Sequence, residues 1–182
     1  KAVTRYPVLQ IHSAERGNTK ISESVVQGLV SSGKVNDADV LALRRTMFGD
    51  DHQISAGEAE ALFQVNDACH QASSNWPVFF VESIVDFLIS NSQPNGYISE
   101  SQAQWLTTHI AQSGVVKGET ELETLVKLME MASAVPDRLE LFAMNQVKNA
   151  VLEGSGPTRK GSVLEPGKIG TAEIELLRRI LY

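Results

Sequence analysis

Apolar residues recur at helical spacing along almost the whole chain, and nowhere do polar and apolar residues alternate for long enough to build a real sheet. Val25, Val26, Leu29 and Val30 form a stripe that stops at Gly33, and Val40, Leu43, Met47 and Phe48 form the next, stopping at Gly49. A third runs through Ala59, Leu62, Phe63 and Val65 towards Cys69. The most apolar helix carries Phe79, Phe80, Ile84, Phe87, Leu88 and Ile89. Asn75 is its expected cap, and Pro77 falls in the first turn, where a missing N–H costs nothing. Further helices are expected over Glu100–Gln112, Glu119–Ser133 and Asp137–Leu152. Pro136 separates the last two, because proline removes a helix donor and disfavours helix at the residue before it. The pattern predicts an all-α, multi-helix bundle of paired helices with the Phe79–Ile89 helix at its centre.

Composition narrows the functional classes. With 182 residues, 42% apolar and 21% charged, the chain can bury one or two cores. Its longest apolar stretches, Val78–Val81 and Ile84–Ile89, are interrupted by Glu82, Ser83 and Asp86, whereas a membrane span needs roughly 20 predominantly apolar residues. No membrane partner is therefore expected. Lys1–Gln10 holds neither a long apolar core nor a small-residue cleavage site, so no signal peptide is visible. A formal charge of −6 argues against nucleic acid, whose binding needs a basic face to displace counterions. Cys69 is the only cysteine, which excludes an intrachain disulfide and favours a reducing, cytoplasmic setting.

Gly154–Gly167 breaks the pattern, with Gly154, Gly156, Gly161 and Gly167 interleaved with Pro157 and Pro166 and with the basic Arg159 and Lys160. It reads as a linker and gives the expected organisation: a helical domain over 1–153, a linker over 154–166, and a further helix over 167–182. That last segment, GKIGTAEIELLRRILY, aligns without a gap with GKVNDADVLALRRTMF at 33–48. The two share the Gly-Lys start, Ala38 with Ala172, and the Leu-Arg-Arg run Leu43–Arg45 with Leu177–Arg179. The match reads as an internal duplication of long period. Ile180, Leu181 and Tyr182 leave apolar side chains in need of a partner, so a second helical domain beyond Tyr182, or self-association through the C-terminal helix, is expected. In each Arg pair one member should lie near the apolar face, where its stem can cover core edges, and the heads should meet acids such as Asp37 or Glu173.

A smaller pattern repeats at helix starts: an apolar residue, then Ser, Asn or Gly, and three residues later an acid or Gln. It occurs as Ile54-Ser55 with Glu58, Ile98-Ser99 with Gln102 and Val35-Asn36 with Asp39. Ile169-Gly170 with Glu173 and Ile21-Ser22 are looser copies. Chemically this is a capping box preceded by a hydrophobic staple, which stabilises a helix by about 1 kcal/mol and needs no ligand.

The same spacing resembles the second half of an EF-hand, in which a twelve-residue loop between two helices ends on a bidentate Glu. Asn91–Gln102, reading NSQPNGYISESQ, fits that frame. Asn91, Gln93 and Asn95 stand at the ligand positions, Gly96 at the turn, Ile98 at the apolar position and Gln102 at the close. Amides replace every carboxylate, so this loop is not expected to hold calcium. Met47–Glu58 keeps the closing Glu58 and has acids at Asp50 and Asp51, but Met47 occupies the first ligand position and His52 the turn. Asp50, Asp51 and Glu58 are therefore the candidate calcium ligands. The resemblance covers roughly 35–112 and implies EF-hand-like helix–loop–helix units. The Ile-Ser-x-x-Glu opening is also similar to that of acidic helical bundles of the tellurite-resistance TerB family, a likeness of fold.

Catalytic constellations are sparse. His12, His52, His70 and His109 are scattered without the i, i+4 spacing of a helical metal site, and Cys69 and His70 point about 100° apart on a helix. No phosphate-binding loop or nucleophile elbow is present. Trp76 and Trp105 sit beside apolar neighbours and read as core. The leading expectation is a non-catalytic interaction or scaffold module that binds protein partners, has no cofactor, and carries degenerate EF-hand-like loops. The alternative is a calcium- or metal-responsive protein using Asp50–Glu58. An enzyme would require His70, His109 or Glu82 to converge in one pocket.

Overall fold

The computed structural model describes residues 23–48 and 53–181. Among these, eight α-helices make an all-α bundle: α1 Glu23–Ser32, α2 Asp37–Met47, α3 Ala56–Ala68, α4 Asn75–Ser90, α5 Glu100–Ile110, α6 Glu119–Met131, α7 Asp137–Glu153 and α8 Thr171–Leu181. Extended structure is confined to two-residue pairs and one isolated parallel bridge between Tyr97 and Ala134. β1 (Lys34–Val35) runs parallel to β2 (Gln71–Ala72), and β3 (Ala111–Gln112) antiparallel to β4 (Val115–Val116). Helix α5 stops at Ile110, two residues short of the sequence expectation, because the next two residues enter that hairpin. Its tight turn places Ser113 at φ 53° and Gly114 at φ 81°, the positive values that a two-residue hairpin demands.

Helix α4 is the centre of the core, as its sequence predicts. Trp76, Phe79, Phe80, Ile84, Phe87 and Leu88 are all buried, while Ile89 lies at the core's edge. Asn75 is the first helical residue and not the cap. Its amide donates instead to Asp37 of α2 at 3.0 Å, and Ser74 precedes the helix without a capping bond. The capping boxes at Asn36/Asp39, Ser55/Glu58 and Ser99/Gln102 are all formed. The preceding apolar residues Val35, Ile54 and Ile98 are buried, as a hydrophobic staple requires. Ile21-Ser22 lies outside the described residues.

One geometry occurs twice, 63 residues apart. Asp37–Met47 corresponds to Glu100–Ile110, and Ala56–Ala68 to Glu119–Met131. The Gly33 carbonyl accepts the His70 and Gln71 amides at 2.9 and 3.2 Å, and the Gly96 carbonyl accepts those of Ser133 and Ala134 at 2.8 and 3.3 Å. Each glycine needs its positive φ to turn between helices, and each is crowded. A Cβ on Gly33 would fall 2.2 Å from the His70 ring, and one on Gly96 2.8 Å from the Ser133 hydroxyl. The pair aligned in the sequence, 33–48 and 167–182, also share local geometry. Gly33 and Gly167 both have positive φ, Gly170 N–H donates to Glu173 at 2.8 Å, and Asn36 N–H donates to Asp39 at 2.9 Å.

The segment between α7 and α8 is ordered around one buried ion pair. Gly154 ends α7 in the left-handed conformation, and a 3-10 turn at Pro157–Arg159 follows. Arg159 Nε lies 3.1 Å from Glu173 Oε1, with both side chains almost wholly shielded from water. The guanidinium also donates to the Leu164 and Lys168 carbonyls. Burial works to raise the Glu173 pKa, but the Thr158 hydroxyl, the Gly170 N–H and the Arg159 charge outweigh it and hold the carboxyl below its ordinary value. Helix α8 packs on α6 and α7 through Leu176, with Leu177 and Ile180 at the edge of the same small core.

Two measurements test these arguments. Gly96→Ala should cost about 1–3 kcal/mol through its strained φ, and more if Ser133 cannot yield. Gly28→Ala, in open space on α1, should stabilise by about 0.4–1 kcal/mol; urea unfolding of both variants compares them. Arg159→Met should cost about 3–5 kcal/mol by stranding the buried Glu173 carboxylate. Amide exchange in α8 should rise with it, and adding Glu173→Met should recover much of the loss.

Candidate functional site

Of the three candidate metal ligands, Asp50 and Asp51 lie outside the described residues. Glu58 is buried at the start of α3, where its Oε2 accepts the Ser55 amide at 2.9 Å and the Ser55 hydroxyl at 2.8 Å. Its Oε1 is shielded from water and has no hydrogen-bond partner. Among the described residues, no group of three or more His, Cys, Asp or Glu is placed to hold a metal ion. His70, His109 and Glu82 do not converge. His70 is exposed beside Gly33, His109 is buried on α5 against Glu60, and Glu82 lies at the lip of a groove on α4. Cys69 follows α3 as its partly buried C-cap.

The surface feature that sequence reasoning missed is that groove. Helix α4 is apolar on more than its core face, and Pro77, Val78, Val81, Val85 and Ile89 stand opposite Thr120 and Met131 of α6. Between them is an open cleft of about 660 Å³, within the usual range for ligand-binding pockets. Val81 and Val85 form a recessed floor, whereas Val78 is 54% and Met131 55% exposed. The lips carry Glu82, Asp86, Glu119 and Glu123 against a single base, Lys127. Only the run of apolar residues on two faces of α4 hinted at it, and the position of α6 could not be read from that run.

The recurring arginines border this groove from outside, with partners other than those expected. Arg44 bonds Glu82 at 2.8 Å and lies over the Phe79 ring. Arg179 grips Glu123 with two bonds, at 2.6 and 2.8 Å, and Glu130 with a third, at 2.6 Å. Arg178 pairs with Glu175 within α8. Asp37 receives Asn75 instead, and Glu173 receives Arg159. Lys127 is held by Glu130 at 3.4 Å. Asp86 and Glu119 have no basic partner among the described residues. The Ser90 hydroxyl donates to Asp86 Oδ1, while Oδ2 is shielded from water without any donor.

Two polar networks link the helices, and the first holds those on which the groove is built. The Trp76 indole N–H donates to Asn66 at 3.0 Å, and the Asn66 amide donates to Glu121 at 2.6 Å, joining α4, α3 and α6. Burial raises the Glu121 pKa above its ordinary value. On the far side of α3, Glu60 accepts the Trp105 indole at 2.8 Å and faces His109 Nε2 at 3.0 Å. His109 Nδ1 faces the Trp105 carbonyl at 2.8 Å. Both ring nitrogens thus point at acceptors, an arrangement that only the doubly protonated ring satisfies. Phe63 and Trp105 pack on that ring with centroids at 4.7 and 4.5 Å.

Burial opposes charge on His109, but its bonds to Glu60 and the Trp105 carbonyl and the Glu60 charge outweigh that and the nearby Lys117, raising the pKa. Burial likewise opposes charge on Glu60, and the bonds from His109 and Trp105 lower its pKa nonetheless. A raised His contributes stability that is whole below its ordinary 6.5 and lost as pH climbs through the raised value. A lowered Glu contributes stability that is whole above its ordinary 4.5 and lost as pH falls through the lowered value. The pair should therefore stabilise most strongly between those two pH values. His109→Gln should flatten the alkaline side of a plot of melting temperature against pH, and NMR titration of the ring should place its pKa above 6.5.

The chain matches no protein-family model, no curated protein and no solved structure, so what it can bind is decided by its own side chains.

Proposed function

We propose that the chain is a non-catalytic, protein-binding helical module whose docking face is the groove between α4 and α6. The observation that carries this reading is the cleft itself. Val78 and Met131 stand in water beside a recessed Val81–Val85 floor, an arrangement that costs solvation free energy unless something covers it. Val81 and Val85 belong to the core, whereas Val78 and Met131 lie outside it and are surplus to folding.

The loops favour a structural role on the same reading. At the close of the 91–102 loop, the Gln102 carbonyl oxygen takes the Ser99 amide and hydroxyl, and its NH₂ donates to the Leu88 carbonyl at 2.9 Å. Asn91 donates to the Phe87 and Ile54 carbonyls. Both amides tie the incoming helix to its neighbours directly, where an EF-hand would use an ion. The unpaired Cys69 accords with a cytoplasmic setting. A second reading, a calcium-responsive protein using Asp50, Asp51 and Glu58, is favoured by the unpartnered, water-shielded Glu58 Oε1.

Two experiments separate the readings. A calorimetric calcium titration should be flat and leave the thermal melt unchanged; micromolar binding that Glu58→Gln abolishes would establish the second reading instead. Selection from a displayed library of helical and extended peptides should enrich sequences that bind the wild type but not the Val78→Glu/Met131→Glu double variant. If every enriched sequence binds both proteins alike, the groove is not a docking face.

A further inference from the structure

We infer that the α4–α6 groove takes an amphipathic helix of a partner protein, about three turns long, with Lys or Arg placed opposite Asp86 and Glu119. This rests on the docking-module reading and adds the chemistry of the occupant. Length comes first. Pro77, Val81, Val85 and Ile89 recur every four residues along one wall, a stripe of about 18 Å at 1.5 Å per residue, or a little over three turns. The other wall is also a helix, with Glu119, Glu123, Lys127 and Met131 at the same four-residue spacing. Two parallel ridges with a furrow between them receive the side-chain ridge of a third helix. A peptide added as a β-strand would need an exposed sheet edge, and the strands among the described residues are two residues long.

Charge then selects the partner. Three of the five lip charges already have partners: Glu82 has Arg44, Glu123 has Arg179 and Lys127 has Glu130. Asp86 and Glu119 are left over, and both are negative. Asp86 Oδ1 already takes the Ser90 hydroxyl, while the exposed Glu119 carboxylate is open to an incoming ammonium or guanidinium. An acidic helix would add two like-charge contacts, and an anionic lipid surface would be repelled for the same reason. The recessed Val81 and Val85 also call for side chains that insert as knobs, which a flat apolar surface does not offer.

The test measures fluorescence anisotropy of two labelled synthetic helices titrated with the full chain. One carries Leu on its apolar stripe with Lys on the flanks, and the other has the same Leu positions with Glu. The basic helix should bind at least about tenfold more tightly, and that preference should weaken with salt. Asp86→Asn with Glu119→Gln should erase most of the preference, while Val78→Glu/Met131→Glu should abolish binding with the helical circular dichroism unchanged. Because that second pair adds negative charge, mere electrostatic attachment would strengthen and so overturn the inference. Equal binding of the two helices, or none of either, would also overturn it. The docking-module reading would survive if the library yields neutral or acidic groove-dependent ligands, and would fall if it yields none. Concentration-dependent dimerisation of the chain alone, lost in Val78→Glu/Met131→Glu, would overturn the partner helix in favour of a second copy.

Discussion

Helix α4 buries two sides at once, and the rest of the molecule is arranged around that demand. Trp76, Phe79, Phe80, Ile84, Phe87 and Leu88 are removed from water, each worth about 1.5–3 kcal/mol. That requires helices on several sides, and α2, α3 and α6 all pack against it. The Trp76 indole cannot be buried without an acceptor, and Asn66 supplies it while passing its own amide to Glu121. This chain orients α3 and α6 about α4, because moving any one of them would leave a buried donor or acceptor unpaired. The groove follows from the same placement. Helix α6 packs on α4 and leaves Val78 of α4 and its own Met131 exposed at the rim.

The loops show how backbone bonds and amide side chains fasten a turn between helices. A carbonyl of a left-handed glycine takes two amides from a neighbouring segment, and the cap residue and its partner three positions on exchange bonds at the start of the next helix. Gly33 and Gly96 do this in equivalent places. Amide side chains suit the task because they both donate and accept. Gln102 can cap its own helix and reach the Leu88 carbonyl of the preceding one, whereas a carboxylate could only accept.

Charges serve position more than stability at the surface. Exposed pairs such as Arg44–Glu82 contribute little on their own, but this one neutralises part of the groove's lip and places the guanidinium over the Phe79 ring. The buried Arg159–Glu173 pair is different. It draws the 3-10 turn and the start of α8 together, and Arg179 then brings α8 against Glu123 at the lip of the groove. The C-terminal helix is thus coupled to the surface that the functional reading depends on.

Helices, caps and staples were legible in the chain because they depend on residues three or four apart. The Val35–Asp39, Ile54–Glu58 and Ile98–Gln102 patterns each specify their own turn. The apolarity of α4 announced a central helix in the same way. Asn75 was misread because a cap and a cross-helix donor look alike until Asp37 is seen opposite. The 63-residue recurrence was obscured because it resides in backbone bonds from Gly33 and Gly96, around which the side chains differ. His109 and Glu60 are 49 residues apart, and no spacing rule joins them. By itself the sequence determined which segments are helical and how α2, α3 and α5 begin, since those free energies are local. Tertiary packing alone decided which acids keep a partner, which ring nitrogens face oxygen and where an apolar stripe stays uncovered, since each depends on what a distant segment places alongside.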